Sequence, residues 1–178
     1  ILGYDDVDHW LKAPGYFNSI IGRVGNRISN SKFSLNGNTY KLFNNVGDNH
    51  LHGGKEGFNK KIWSINNLSK NDHELICELS YVSENLEEGY PGNLDCRVTY
   101  TLNNENEFII NNSAVSDADT IVNITNHNYW NFHGHGDHYK NIVDHTVKIF
   151  SSSVFENNDQ SLPTGKILSV ENTQFDFI

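Results

Sequence analysis

Short runs of residues with β-strand character dominate the middle of the chain. The segments 94–102 (LDCRVTYTL) and 107–116 (EFIINNSAVS) alternate apolar and polar side chains, as half-buried strands do. The segment 73–82 (HELICELSYV) is rich in apolar and β-favouring residues and predicts a third strand. The segments 61–68 (KIWSINNL) and 145–150 (HTVKIF) are further strand candidates.

Turn signals separate these runs. The segment 32–42 (KFSLNGNTYKL) predicts a β-hairpin, because two short β-favouring runs flank the turn signal Asn36-Gly37. The segment 120–126 (TIVNITN) predicts another strand, and no stretch shows a convincing helical periodicity. Many short strands joined by Gly, Asn and Asp turns favour an all-β sandwich or barrel.

The bulk composition fits one packed domain and argues against several classes of function. The 178 residues are 37% hydrophobic and 12% aromatic, which is enough to build a sizeable core. The net charge of −9 leaves no basic patch for nucleic acid. No apolar stretch is long enough to span a bilayer, and no signal-like segment opens the sequence, whose first residue is Ile rather than Met. We therefore expect neither nucleic acid nor a membrane as a partner.

The two cysteines, Cys77 and Cys96, do not make a disulfide framework. They lie in runs that flank one turn region, so they could occupy neighbouring strands. We interpret both as reduced thiols, which predicts a cytoplasmic protein.

Four of the nine histidines fall within residues 125–138. Three of them, His133, His135 and His138, have a spacing that suits metal ligands. A Gly-rich turn could fold these imidazoles inward, but the same composition suits an exposed loop, and structural zinc usually recruits cysteines that are missing here. A solvated loop is the favoured interpretation, so no metal site is predicted.

The fourth histidine, His127, has different surroundings. It ends an apolar run, lies between Asn126 and Asn128, and is followed by Tyr129 and Trp130. A His at a strand end can transfer protons near neutral pH, and aromatic rings beside amides suit a sugar. From the local sequence alone, a catalytic His and a structural His with satisfied hydrogen bonds both remain open.

A second group of candidate residues lies in the segment 49–63 (NHLHGGKEGFNKKIW). Here His50 and His52 precede the glycine pair Gly53-Gly54. Paired glycines let the backbone turn sharply or approach a ligand closely.

The segment 20–29 (IIGRVGNRIS) holds two spaced glycines, a feature that it shares with phosphate-binding loops. It lacks the Lys-Ser/Thr of a P-loop and the strand–helix context of a dinucleotide-binding fold. We interpret it as a turn that presents Asn26 and Arg27. Arg27 is then either an ordinary surface charge or a partner for sugar oxygens.

Together these segments resemble the aldose 1-epimerases, also called galactose mutarotases, over essentially the whole chain. In the family's order they are ILGYDDVDHWL, PGYFNSIIGRVGNRI, NHLHGGKEGFNKKIW, LEEGYPGNLDCRVTYTL, IVNITNHNYWNFHG and LPTGKILSVENTQFDF. The resemblance implies a large antiparallel β-sandwich of the galactose mutarotase-like supersandwich type. It also implies an enzyme, monomeric or homodimeric, that interconverts the α and β anomers of free aldohexoses such as galactose and glucose without a cofactor.

The resemblance also assigns roles to individual residues. His127 falls on the family's proton-donating His in Thr-Asn-His, and His52 falls on the His of Leu-His-Gly-Gly. The substrate-binding residues would be Asn26, Arg27, His52, Asn128 and Tyr129. The family's general base is a Glu that falls beyond Ile178, so that role is assigned to no residue of this chain.

The expected general base bears on what residues 1–178 can do alone. We expect them to form a single aldose 1-epimerase-like domain that lacks its C-terminal part and is weak or inactive by itself. Glu87 and Glu88 belong to a turn that is structural in the family, and we expect a solvated acidic turn there rather than a base.

Three other functions stay open at this point. The chain could be a catalytically inactive sugar-binding paralogue that kept Arg27, His52 and His127 but lost the base. It could be a metal-dependent all-β enzyme that uses the histidines of 133–138. It could also be an epimerase of sugar phosphates, for which Arg27 is the one obvious phosphate partner among the predicted site residues.

Overall fold

The computed structural model describes residues 1–12, 15–136 and 141–178 of the chain. Strands dominate these residues, so the predicted all-β fold class is confirmed. In chain order the strands are β1 Ile20–Ile21, β2 Arg27–Ile28, β3 Lys32–Leu35, β4 Asn38–Lys41, β5 His50–Leu51, β6 Ser64–Lys70, β7 Glu74–Ser83, β8 Leu94–Asn103, β9 Phe108–Ser116, β10 Thr125–Asn126, β11 Ser153–Asn157 and β12 Pro163–Ser169. The helical elements are the α-helix α1 Val7–Lys12 and the 3₁₀ turns Ser29–Ser31, Phe58–Lys60 and Glu87–Gly89.

The described residues group into two units. The first unit combines Ile1–Ser19 with His127–Ile178, and it contains α1 and the antiparallel pair β11–β12. The second unit is Ile20–Asn126 and contains the other strands. No helix within the described part of the chain is long and apolar enough to cross a membrane.

The second unit is built on an antiparallel sheet of four strands in the order β6-β7-β8-β9. Directly opposite residues of antiparallel strands point to the same face. On β8, Cys96 lies opposite Tyr81 of β7 and Ala114 of β9, and its side chain is fully buried. The alternate residues Asp95 and Arg97 are exposed, so the sheet has one apolar and one polar face.

The core of this unit lies on the apolar face of the sheet. Leu94, Cys96 and Val98 of β8 pack there with Ile20 of β1 and with Phe58. Burial of apolar surface in this cluster fixes where β1 begins, and β1 leads directly into the segment that carries Asn26 and Arg27. The core therefore positions one group of predicted site residues.

The predicted hairpin in 32–42 is confirmed. Strands β3 and β4 pair from Lys32↔Lys41 to Leu35↔Asn38, and Asn36 and Gly37 form the two-residue turn with φ of 52° and 77°. A turn with positive φ at both central residues matches the twist of the flanking strands.

Three strand predictions need correction. The segment 145–150 contains no strand, because alternation alone cannot supply a ladder partner, and its described backbone bonds, such as Ile149 N to Phe177 O, are isolated. In 61–68 the strand begins only at Ser64. In 120–126 only β10 is a strand, because its partner β1 has just two residues. Beyond this pair, the two segments are joined by an isolated bridge between Val24 and Asn123.

The sequence also gave no indication of α1. This helix has six residues, which is too short for an apolar stripe to repeat. Its start is stabilised locally, because Oδ1 of Asp6 accepts a hydrogen bond of 2.8 Å from N of His9.

Both cysteines are free thiols on neighbouring strands, as predicted. Cys77 lies on β7 opposite Tyr100, whereas Cys96 lies on β8 opposite Tyr81, so the two are not paired across the ladder. Burial raises the pKa of Cys96 to about 12, so this thiol stays protonated at neutral pH.

Candidate functional site

Asn26, Arg27 and His52 come together in the second unit. Strand β2 pairs with β5 in the register Arg27↔Leu51, which brings the residue before β2 beside the residue after β5. The backbone of Asn26 makes two bonds to His52: its O accepts from N of His52 at 3.0 Å, and its N donates to Nδ1 of His52 at 2.9 Å. Nη1 of Arg27 donates to Oδ1 of Asn26 at 3.4 Å.

The bond from Asn26 N fixes the tautomer of His52. A backbone N–H only donates, so Nδ1 of His52 must present its lone pair. In the neutral ring the proton then resides on Nε2, which makes Nε2–H a hydrogen-bond donor with a defined direction. A half-buried imidazole held in this form suits an oxygen of a neutral ligand.

The predicted sharp turn after His52 is present. Three consecutive residues, His52, Gly53 and Gly54, have φ of 52°, 85° and 102°. A Cβ on Gly53 would lie 1.6 Å from O of Gly22, and a Cβ on Gly54 would lie 2.1 Å from Oε2 of Glu88. Glycine is therefore required at both positions for backbone conformation and for close approach.

Glu87 and Glu88 are not a solvated acidic turn, and that expectation is wrong. The carboxylate of Glu88 accepts from N of Lys55 and N of Glu56 at 3.1 and 2.9 Å, so it fixes the loop after Gly54. Glu87 is half-buried and accepts from the hydroxyl of Tyr81 at 2.6 Å, among other bonds. Both carboxylates therefore have structural roles.

Sequence reasoning missed Arg23. Its side chain is 2% exposed, and its guanidinium donates to Ser83, Glu84, Pro91 and Thr120. Burial lowers the pKa of Arg23, and the surrounding carbonyl and hydroxyl oxygens offset the loss of water. Nothing local distinguishes Arg23 from Arg27, because the residues that bind it are about 60 to 97 positions away in sequence.

His50, the other histidine of 49–63, is a structural residue. It is fully buried, its Nδ1 lies 2.7 Å from O of Phe43, and its Nε2 lies 2.7 Å from the hydroxyl of Tyr90. Because a carbonyl only accepts, Nδ1 carries the proton and Nε2 accepts from Tyr90. Burial lowers the pKa of His50.

His127, Asn128 and Tyr129 belong to the first unit. The backbone of His127 is bonded on both sides, since its N donates to O of Ser19 and its O accepts from N of Asn18, each at 3.0 Å. His127 and Asn128 are half-buried, and the side chain of Tyr129 is 40% exposed. The backbone at the predicted acid is therefore fixed.

Two aromatic rings lie nearly parallel to the imidazole of His127. Tyr129 has its ring centroid 5.1 Å away at an interplanar angle of 28°, and Tyr16 has its centroid 5.9 Å away at 22°. Sequence reasoning identified Tyr129 through the adjacent motif. It missed Tyr16, which is more than 100 positions away in the chain.

Within the described residues, the histidines after His127 do not group as the sequence suggested. His133 lies with Asp144 and His145, and one ligand atom from each falls within 4.8 Å of the others. His138 lies outside the described residues. Nε2 of His133 is 2.6 Å from Oδ1 of Asp144, and Nδ1 of His145 is 3.3 Å from the same oxygen.

The hydrogen bonds of His145 argue against a metal ion in this cluster. N of Phe132 donates to Nε2 of His145 at 2.8 Å, so Nε2 presents its lone pair and Nδ1 carries the proton. A metal on Nδ1 would require either an imidazolate or loss of the bond from Phe132. The cluster is a satisfied hydrogen-bond network, and the hydrogen bond with His133, followed by the weaker one with His145, holds the pKa of Asp144 below its usual value.

Comparison with known proteins gives one consistent result. The family model described as aldose 1-epimerase matches residues 1–178. The galactose mutarotase of Bos taurus is 42% identical over 176 residues, covering 99% of this chain and 49% of that protein. The aldose 1-epimerase of Haemophilus influenzae is 36% identical over 171 residues, covering 96% of this chain and 48% of that protein.

A solved structure gives the same result for the fold. A GalM/aldose epimerase homologue from C. elegans superposes with a TM-score of 0.81 at 31% identity, covering 99% of this chain and 52% of that one. This likeness is consistent with the expected β-sandwich. The chain spans about half the length of the curated relatives that it matches.

Proposed function

The chain belongs to the aldose 1-epimerase family, and on that premise we propose that it carries the acid and the sugar-binding residues of a mutarotase. The substrate is a free aldohexose such as galactose or glucose. The reaction interconverts the α and β anomers through the open-chain aldehyde and needs no cofactor. The family is a sugar-processing one, which supports a small-molecule sugar as the partner.

In the proposed reaction His127 is the acid. A carboxylate base removes the proton of the C1 hydroxyl, the bond between C1 and the ring oxygen breaks, and His127 protonates that oxygen. The aldehyde rotates about C1–C2, and the same steps in reverse close the ring from the other face. Acid and base each contribute typically about 10²- to 10⁴-fold to such proton transfers.

The other site residues bind the sugar. His52 donates from Nε2–H to a sugar oxygen, and Arg27 donates to hydroxyls while Asn26 fixes both residues. Hydrogen-bond donors that are fixed before the sugar binds stabilise developing charge on oxygen at no cost of reorganisation. Asn128 and Tyr129 follow the acid and provide an amide and an aromatic surface that suit hydroxyls and C–H faces.

The single observation that carries the proposal is the bond from N of Asn26 to Nδ1 of His52. It leaves the proton of a neutral imidazole on Nε2, and an oxygen of the sugar is a suitable acceptor for that proton. An uncharged hydroxylated ring has such acceptors at every position. A sugar phosphate has no comparable support, since Arg27 is the one cation among the predicted site residues.

The general base stays a prediction. The resemblance assigns it to a Glu that falls after Ile178, and the curated relatives are about twice as long as the part that matches. We therefore propose that activity requires the complete reading frame that encodes these residues. A cytoplasmic location, supported by two free thiols, and a monomer or homodimer complete the proposal.

The proposal is tested by polarimetry on protein from the complete reading frame. Freshly dissolved α-D-galactose and α-D-glucose should relax to the anomeric equilibrium faster than in buffer. His127→Ala should reduce this acceleration by about 10²-fold or more, whereas His73→Ala, at an exposed histidine, should leave it unchanged. Sugar binding without acceleration in the wild type would instead identify the inactive sugar-binding paralogue.

A further inference from the structure

We propose that Tyr16 is a positioning residue for the acid: its ring lies along the imidazole of His127 and holds that imidazole in the orientation from which it protonates the sugar. This inference rests on the proposed function, because it assumes that His127 is the acid. Neither the family match nor the motif around His127 assigns any role to Tyr16.

The backbone connects Tyr16 to His127 directly. N of Ser19 donates to O of Tyr16 at 3.1 Å, which closes a turn over residues 16–19. The same turn supplies the two backbone bonds of His127, since O of Ser19 accepts from N of His127 and N of Asn18 donates to O of His127. The turn therefore determines both where the acid lies and where the ring of Tyr16 lies beside it.

The ring geometry fits face contact rather than a hydrogen bond between the two side chains. The planes of Tyr16 and His127 are inclined by 22°, with centroids 5.9 Å apart. Offset parallel packing at 4.5 to 7 Å is a favourable arrangement of aromatic rings. Tyr16 is half-buried, and burial raises the pKa of its phenol, so the ring remains uncharged at neutral pH.

Tyr16 belongs to a continuous row of rings in the first unit. His127 packs on Tyr129 at 5.1 Å, Tyr129 packs edge-on against Phe17 at 4.8 Å, and Phe17 stacks on Tyr4 at 5.8 Å. The imidazole thus packs against the rings of both Tyr16 and Tyr129 within this row. A side chain in such a row cannot rotate about χ2 without losing ring contacts.

The chemistry explains why orientation matters here. A proton donor must keep its N–H in line with the accepting oxygen at about 2.6 to 3.2 Å. The nitrogens of an imidazole lie at the edge of its ring, so rings packed along its face restrict rotation without themselves covering that edge. A misplacement of about 1 Å can reduce a catalysed rate by about 10²-fold. The ring of Tyr16 is needed for this role, and its hydroxyl is not.

Three variants in protein from the complete reading frame separate the roles of the ring and the hydroxyl. Tyr16→Leu should lower kcat for galactose anomerisation by about 10-fold and leave KM within about twofold, because ring packing is lost and sugar contacts are not. Tyr16→Phe should restore kcat. Tyr40→Leu removes a stacked ring elsewhere, on Phe33 at 5.2 Å, and should leave both constants unchanged.

A second measurement does not depend on activity. Ring protons of His127 should resonate upfield of those of the exposed His73 in NMR spectra of the wild-type protein, because neighbouring aromatic rings shield them. The shift should diminish in Tyr16→Leu and persist in Tyr16→Phe. It can be read in the wild type even if Tyr16→Leu does not fold.

The outcomes distinguish a failure of the role proposed for Tyr16 from a failure of the proposed mutarotase function. Normal kcat in Tyr16→Leu, a raised KM in Tyr16→Phe, or unshifted His127 ring protons in the wild type would each overturn the role of Tyr16. Absence of mutarotation in the wild type, with the ring shift present, would instead overturn the proposed function and leave the ring packing intact.

Discussion

Gly53 is the position at which the loop after His52 tolerates least change. Its φ is +85°, and an added Cβ would lie 1.6 Å from O of Gly22, which is backbone and cannot move aside cheaply. We predict that Gly53→Ala destabilises the protein by about 3 kcal/mol or more, because it combines backbone strain with a clash. Urea unfolding monitored by tryptophan fluorescence measures this change.

The matched control is Gly47→Ala. Gly47 has φ of +57°, but nothing lies within 4 Å of an added Cβ. It should therefore lose only the conformational part, about 1 to 2 kcal/mol. Equal losses of stability in Gly53→Ala and Gly47→Ala would contradict the close approach of Gly53 to O of Gly22.

Arg23 is predicted to be the arginine on which the stability of the second unit depends. Lysine keeps the charge but cannot reproduce the planar set of donors that binds Ser83, Glu84 and Pro91. Arg23→Lys should therefore lower the free energy of unfolding by about 3 kcal/mol. Arg97→Lys, at a side chain that is 53% exposed, should change it by less than about 0.5 kcal/mol. Similar urea midpoints for the two variants would contradict this account.

The sequence predicts some site residues and is silent on others for a physical reason. Some site residues belong to short motifs that can be recognised from residue type or turn chemistry alone. These residues are His127, Asn26, Arg27 and the two glycines after His52. Tyr16 acts through contact with a segment more than 100 positions later, and such contacts leave no local pattern.

At the scale of elements, His50 connects β5 to the loop at Phe43 and to Tyr90. Its folded pKa is lowered by burial, so above the unfolded value of 6.5 both states are neutral and its contribution to stability is complete. As the pH falls below 6.5, His50 becomes protonated in the unfolded state but stays neutral in the folded state. The free energy of unfolding therefore decreases until the pH passes below the pKa of His50 in the folded state.

We therefore predict that the urea midpoint falls between about pH 7 and pH 5. His50→Gln should be less stable overall, because its two buried bonds are impaired, but its midpoint should vary less over this window. If the urea midpoint of His50→Gln varied with pH as steeply as that of the wild type, the pH dependence would have to come from other groups.

Long strands were predictable from sequence, whereas short pairings were not. In β8 an alternating run of ten residues fixes which side chains face the core. Strands of two residues such as β1, β2, β5 and β10 contain too few positions for a pattern. The segment 145–150 shows the opposite error, since it alternates but has no partner strand among the described residues.

At the scale of the molecule, the apolar face of the four-stranded sheet is covered at one end only. Leu94 and Val98 are buried, but Leu68, Leu75 and Leu102 at the other end are 74%, 46% and 47% exposed. A contiguous apolar surface of this kind promotes association.

We predict that residues 1–178 expressed alone self-associate and bind a hydrophobic dye, and that protein from the complete reading frame does so far less. Light scattering that shows a stable monomer of residues 1–178 would contradict this.

The central claim is that His127 protonates the sugar ring during anomerisation. Two-dimensional NMR exchange at anomeric equilibrium tests it most directly, because it measures the α-to-β rate of galactose without any net reaction. Protein from the complete reading frame should produce exchange cross-peaks that buffer lacks. His127→Gln, which keeps a side chain of similar polarity but cannot act as the acid, should abolish them, while His73→Gln should retain them. Undiminished exchange in His127→Gln would contradict the account.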